Sequence, residues 1–408
     1  MNYRNYDPKK DKEAVHQIWL EVGWIEKSNS KPMDAMIEGG RTIVVDINDR
    51  PECLVVSWMG DIDYLGELLP FSCIAGVTTS LIARQQKIAA RLTATRIALD
   101  AIDGAAVSGL GMFEQGYYDK LGYGTCNYEN MIKFAPKLLN VDVKPRVPIR
   151  LSVDDWERMH AARLKRKRYH GSVSATDASP TRAEMIWPRS GFGLGYCDDS
   201  GELTHCLWMI GMGKENGPYS IEWMIYRNYE QLVELLALLK SFGDQIRLVT
   251  LAEPPAIQFQ DFLSTPFYYR SISEKSRFEN TVRASAWRQM RICDLEKCLS
   301  ATHLPGEDIR FNLVLTDPIE KYLDDDIEWR GIAGNYVVSL GENSGAERGS
   351  SEQLPTMKAS VGAFTRLWYG ILSASVLSCS DDLSAPSDLI SMLDRKIRLP
   401  RPNVDWDF

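Results

Sequence analysis

The sequence predicts a mixed α/β protein of the α+β class, in which one order of strands and helices occurs twice and a separate α+β region follows. Three observations predict it. Short β-branched runs alternate with stretches whose apolar residues recur at helical spacing. Prolines at 136, 145 and 148 mark a linker between two stretches with the same element order but unlike sequences. From about Trp287 the pattern changes to short strands, a loop of Gly, Ser and Glu around 341–354, and apolar helices.

In order, Ile43 to Ile47 and Cys53 to Trp58 flank the turn-forming cluster Asn48-Asp49-Arg50-Pro51, which reads as a hairpin. A third strand, Cys73 to Thr79, leads into a helix carrying Ile88, Leu92, Leu99 and Ile102, with Gly104 as its C-terminal cap. A strand from Ala106 to Leu110, a short segment Phe113 to Tyr123 and a strand ending near Phe134 complete the first region. The second begins with a helix from about Asp154 to Arg168 and a polar loop, Gly171 to Pro180. Strands at Phe192 to Cys197, Leu203 to Met212 and Tyr219 to Tyr226 follow, then a helix from Leu232 to Phe242 and a strand from Arg247 to Leu251. In the last region Phe311 to Leu315 and Asn335 to Ser339 read as strands, and Pro400 and Pro402 forbid a regular helix in the tail.

Length and charge narrow the function. At 408 residues the chain has room for two to four domains, and 44% apolar and 25% charged residues are globular proportions. A formal charge of -8 disfavours nucleic acid and anionic membranes as partners and suits a small cationic substrate. The N-terminus has no apolar stretch behind its basic residues and no window reaches the ~18 apolar residues of a membrane helix, so a cytoplasmic location is expected. The eight cysteines form no CxxC pair and the five histidines show no ligand spacing; free thiols and no metal are expected.

The junction Val77-Thr78-Thr79, then Arg84-Gln85-Gln86-Lys87-Ile88-Ala89-Ala90, carries the most chemistry. Unpaired N–H groups at a helix start, with flanking Arg and Lys, suit a pyrophosphate. Alone, this stretch reads first as an ordinary basic first turn. Downstream stands Tyr118-Asp119-Lys120-Leu121-Gly122-Tyr123.

Together these stretches resemble the two motifs of the GNAT superfamily of N-acetyltransferases, Val with Arg-x-x-Gly-x-Gly/Ala and then Tyr-x-x-x-Gly-Phe/Tyr. One departure is Lys87 where the family has its first glycine. Its side chain either narrows the approach of the phosphates or offers them an ammonium. The whole chain resembles the enhanced-intracellular-survival (Eis) branch. The second region lacks the cradle at Met224 to Glu230, the third contains Trp287-Arg288-Gln289-Met290-Arg291, Val361 to Gly370 and Ser373-Ala374, and the sequence ends in Phe408.

The resemblance implies tandem acetyltransferase folds, a catalytic one at 1–140 and one without a cofactor site at 141–285, then a sterol-carrier-protein-like domain at 286–408. It implies acetyl-CoA as cosubstrate, held by Val77 to Thr79 and Arg84 to Ala90. It also implies Tyr118 as general acid, the Phe408 carboxylate as general base for an attacking primary amine, and a homo-oligomer, plausibly hexameric. Without it, Tyr118 reads as a core tyrosine and the tail as a frayed terminus. The other function class is a lipid or small-molecule carrier whose acetyltransferase region is idle. Trp19, Trp24 and Trp187 are candidates for an acceptor pocket or for ordinary core. Gly191 to Gly195 reads as a Gly-rich strand entry, and Arg163 to Arg168 as a solvated helix end.

Overall fold

The computed structural model describes residues 3–26, 30–187, 190–211, 215–265, 275 and 279–407. Contacts divide the chain into two compact units: residues 1–127, 169–177 and 286–408 form the first, and 128–168 with 178–285 the second.

The chain runs β1 (Tyr3–Asn5), α1 (Lys12–Glu21), α2 (Lys31–Glu38), β2 (Ile43–Ile47), β3 (Arg50–Tyr64), β4 (Glu67–Thr79), α3 (Ile88–Ile102), β5 (Val107–Gly111), β6 (Gly124–Thr125) and β7 (Glu129–Phe134). There follow β8 (Ile149–Leu151), α4 (Trp156–Leu164), β9 (Val173–Ala175), α5 (Ser179–Ile186), β10 (Gly191–Cys197), β11 (Leu203–Gly211), β12 (Tyr219–Ile225), α6 (Tyr229–Ser241), β13 (Val249–Ala252) and β14 (Thr281–Ser285). The last third gives β15 (Arg288–Ile292), α7 (Leu295–Ser300), β16 (Ile309–Thr316), β17 (Gly334–Leu340), β18 (Gly345–Arg348), β19 (Thr356–Ser360), α8 (Val361–Trp368), α9 (Ala374–Ser380), β20 (Leu383–Ser384) and α10 (Ser387–Lys396).

In the first unit the described residues form two sheets. One has the order β1-β2-β3-β4-β5-β15-β6, with β9 also on β3; the other has the order β18-β17-β16-β19-β20. The β2–β3 turn places Asn48 and Asp49 at φ 53° and 62°, the paired left-handed conformation that matches the twist of a two-residue hairpin. The β4-α3-β5 crossover makes β4 and β5 parallel, from Phe71 opposite Val107 to Ile74 opposite Leu110. Gly104, at φ 102°, closes α3: its N–H bonds the Ala101 carbonyl at 3.0 Å, and the Ala105 N–H bonds that of Asp100 at 2.9 Å. The Asp100 side chain, wholly buried, accepts from Ser72, Arg41 and Arg96 at 2.6, 2.9 and 2.8 Å, so a buried polar cluster ties α3 to β4.

Three strand placements differ from the sequence reading. Glu129–Phe134, read as the close of the first region, lies between β14 and β13 in the second unit's sheet, whose order is β14-β7-β13-β12-β11-β10-β8. Arg288–Ile292, read as the start of the last region, pairs β5 and β6 instead. The loop read at Gly171 to Pro180 contains β9, which pairs Gly60–Ile62 of β3. Strand pairing of this kind is set by distant partners, to which local propensity is blind.

The second unit repeats the crossover. Strands β12 and β13 are parallel with α6 between them, and Leu232, Leu235, Leu236 and Leu239 turn α6 onto the sheet. Gly191, read as part of a Gly-rich strand entry, lies in β10 with the Trp208 ring 2.5 Å from where a Cβ would stand. The run Arg163 to Arg168 is the solvated helix end the sequence suggested only at Leu164 and Lys165, which are exposed. Arg163 is 3% exposed, salt-bridged to Glu184 at 2.9 Å and stacked on Trp223 at 4.2 Å, and Arg166 is also buried.

Candidate functional site

Beyond Ile74 and Leu110, β4 and β5 separate. β4 continues to Thr79 paired only with β3, while β5 is paired on its other side by β15. Gly76, at φ 62°, lies in a register shift against β3, so β4 carries an extra residue just where the two strands part. Within the gap, Thr78 accepts from the buried Trp19 indole at 3.1 Å, Thr79 lies 3.4 Å from the Cys53 sulfur, and Val77 is partly exposed.

Past the gap the chain enters α3 through a loop of two left-handed residues, Gln85 at φ 62° and Lys87 at φ 60°. Lys87 is the N-cap and provides no side-chain cap, and the first turn holds no acidic residue. The first N–H groups of α3 are thus left to a ligand or to water. Arg84 and Lys87 are exposed, and neither has an ion-pair partner among the described residues. Gln86 donates back to the Ile82 carbonyl at 3.0 Å, and the Leu81 N–H bonds Glu21 at 2.9 Å, fixing the loop at its entry. Lys87 therefore takes up the left-handed geometry for which glycine is the usual residue.

The corresponding helix of the second unit is built differently. At α6 the Asn228 side chain accepts from the Gln231 N–H at 2.9 Å, and Glu230 sits in the first turn. One helix start is already capped and carries an acid; the other has neither.

Tyr118 heads the turn Asp119–Leu121 after β5 and is 6% exposed. It packs in one core with Ile74, Leu92 and Tyr123, against which Val77, Ile88 and Ala89 also lie, so the structure brings the strand gap, the helix start and this tyrosine together. Tyr117 meets it edge-on at 4.9 Å. Its hydroxyl has no hydrogen-bond partner among the described residues. Burial holds that hydroxyl above the ordinary tyrosine value, with Tyr117 adding to the shift. Gly122, at φ 82°, ends the turn; a Cβ there would stand 2.5 Å from Val361 and 2.9 Å from the Arg291 guanidinium.

Three residues of β15 fasten this end of the sheet, and the sequence reading assigned them only to a domain core. Gln289, fully buried, donates to Asp119 at 2.7 Å and Thr125 at 3.2 Å. Arg291, fully buried, pairs with Asp317 at 2.6 Å and bonds the Leu121 carbonyl. Arg288, opposite Gly111, bonds the Trp406 carbonyl at 2.6 Å and pairs with Asp407. A run of Arg and Gln in a strand-like stretch was the available signal. Phe408 lies outside the described residues, but the tail before it is anchored: Trp406 is 1% exposed, and Asp405 accepts from Ser172 and the Val173 N–H, each at 3.2 Å.

The tryptophans separate. Trp19 is core, Trp24 is partly buried with the 80%-exposed Phe113 at 5.5 Å, and Trp187 belongs to the second unit. All eight cysteines are unpaired, six of them buried, and burial pushes the thiols of Cys53, Cys126 and Cys206 up to about 12. Among the described residues no cluster of His, Cys, Asp or Glu could hold a metal, and no helix is long and apolar enough to cross a membrane.

No protein-family model and no curated protein matches the sequence. Solved structures do match the fold. A GCN5-related N-acetyltransferase from Anabaena variabilis superposes with a TM-score of 0.79 at 13% identity over 100% of both chains. A probable N-acyltransferase from Enterococcus faecalis gives 0.78 at 15%, over 100% of this chain and 99% of that one. Eis1 from Mycobacterium abscessus gives 0.76 at 13%, over 100% of both. With the two β-α-β crossovers described above, the chain has the mixed α/β, tandem fold of the GCN5-related N-acetyltransferases along its whole length.

Proposed function

We propose that the chain is an acetyl-CoA-dependent N-acetyltransferase that transfers acetyl directly to a primary amine of a cationic substrate. The observation that carries this reading is the strand gap at Val77 to Thr79 facing the uncapped start of α3, with Tyr118 in the same core. Bound acetyl-CoA supplies the activated acetyl group. The amides from Arg84 to Ala90 and the side chains of Arg84 and Lys87 hold its pyrophosphate, and N–H groups of the Val77 strand polarise the thioester carbonyl. The amine's nitrogen bonds the acetyl carbon as the C–S bond breaks, the amine's proton passes to the Phe408 carboxylate, and Tyr118 gives its own to the departing sulfur. Tyr118 suits that role because burial keeps it protonated.

The capped, acid-bearing start of α6 supports a second unit without a cofactor site. The exposed Phe113 beside Trp24 and the -8 formal charge favour a cationic acceptor. We assign the protein to the cytoplasm on its free thiols and, on the resemblance to the Eis branch, to a homo-oligomer. The carrier reading rests on the sterol-carrier-like assignment of the last third. The apolar space between Tyr64, Phe364, Leu367 and Trp368 has room for about one water, so that space does not itself supply the carrier reading with a lipid site.

Titration calorimetry with acetyl-CoA, followed by a mass-spectrometric acetylation screen over aminoglycosides, polyamines and lysine peptides, tests the proposal. Saturable binding and one acetylated amine are expected. No binding at millimolar acetyl-CoA would give the carrier reading the field.

A further inference from the structure

The tail after α10 crosses the first unit as an extended strap, and its attachments are more numerous than a chain end requires. The Asn127 side chain donates to the Pro402 carbonyl at 3.2 Å and the Asn403 N–H to that of His170 at 3.0 Å. Asp405 is held by Ser172 and Val173, and Val404 and Trp406 are buried in the core. At the end of this row stands Arg288, 6% exposed, with its guanidinium over the Trp287 ring at 4.1 Å. It grips two successive residues at once, the main chain of Trp406 and the carboxylate of Asp407. Because Arg288 lies opposite Gly111 at the end of β5, its grip falls at the end of the sheet where the strands part and from which the chain leads to Tyr118.

We propose that Arg288 is a positioning residue for acetyl transfer, which sets where the C-terminal carboxylate lies without touching substrate. This rests on the N-acetyltransferase reading. Two residues of free chain span up to ~7 Å, so releasing Trp406 and Asp407 gives the last carboxylate that much play. A displacement of about 1 Å at a reacting group can cost about 10²-fold in rate. The guanidinium is suited to the task because its planar fork bonds a carbonyl and a carboxylate together, which one ammonium does less well.

The test combines kinetics with hydrogen exchange on the full chain. In Arg288→Met, kcat should fall by about 10²-fold with KM for acetyl-CoA within about twofold, and the Asn403 amide, bonded to the His170 carbonyl, should exchange about 10-fold faster or more. Arg288→Lys should recover part of both effects. Asp407→Asn, which leaves the Trp406 bond in place, should fall between Arg288→Met and the unaltered protein, and it serves should Arg288→Met fail to fold. Faster tail exchange with unchanged kcat overturns the positioning role, and unchanged exchange overturns the anchor itself. If the unaltered protein acetylates no amine, the enzymatic reading and the positioning role fall together, while exchange separately decides whether Arg288 holds the tail.

Discussion

Tyr118 occupies a position where burial and chemistry agree. Its hydroxyl is raised above the ordinary value of about 10, so it remains protonated through neutral pH. Tyr118→Phe should lower kcat by about 10²-fold or more with little change in acetyl-CoA affinity, measured by steady-state kinetics and calorimetry. The alkaline limb of the rate profile, if one appears below pH 10, should persist in this variant. Lys87 was legible in the sequence only as a departure from glycine; the structure adds the reason glycine suits the position, a left-handed backbone. Lys87→Ala should weaken acetyl-CoA binding by about 1 to 3 kcal/mol through the lost ammonium. Lys87→Gly should lose the same contact yet raise the unfolding free energy by about 1 kcal/mol by relieving the backbone. At Gly122 the opposite holds. Alanine would bring a Cβ against Val361 and Arg291 at positive φ, and a loss of about 2 kcal/mol or more is expected in denaturant unfolding.

At the scale of elements, the crossovers were readable because they are local: a β-branched run, a turn, and apolar residues at helical spacing suffice for β4-α3-β5 and β12-α6-β13. The exchange of β7 and β15 between sheets was not readable. Both strands look alike in isolation, and their membership is decided by partners more than 100 residues away in sequence, Val249–Ala252 for one and Val107–Gly111 for the other. The site shows the same division. The residues around Val77, Lys87 and Tyr118 were singled out through the motifs they resemble, whereas Gln289 and Arg291 are held by Asp119, Leu121 and Asp317, which no local pattern joins. The tail is the element whose alteration is most informative. Amidating Phe408 or appending a few residues should abolish acetylation while acetyl-CoA binding and thermal stability persist, and Phe408→Leu, which keeps the carboxylate, should retain substantial activity. Full activity in the extended protein would leave a side-chain carboxylate as the base.

Over the whole molecule, pH should act on the second unit through Glu234. Hydrogen bonds from Arg146 at 2.9 Å, helped by His205 at 3.1 Å, hold its carboxyl down to about 2. A depressed carboxylate contributes stability above its unfolded value of about 4.3 and loses it as pH falls toward 2. Between those limits, Glu234→Gln should unfold with a shallower pH dependence than the unaltered protein, and salt should shrink the difference because Arg146 is largely exposed. Denaturant midpoints across that range read both effects.

The insertion of β15 also has a consequence for biosynthesis. A ribosome that has released residues 1–140 has made the motifs but not the strand that covers β5, since Arg288–Ile292 emerge only after the second unit's last strand. Until then β5 presents an open edge, the kind of surface on which nascent chains associate wrongly. A fragment ending at residue 140 should therefore aggregate on expression, and supplying residues 286–408 in trans should restore its solubility. Order of synthesis would then act as a safeguard: the strand that completes the first unit's sheet and the tail that Arg288 holds both arrive after the second unit.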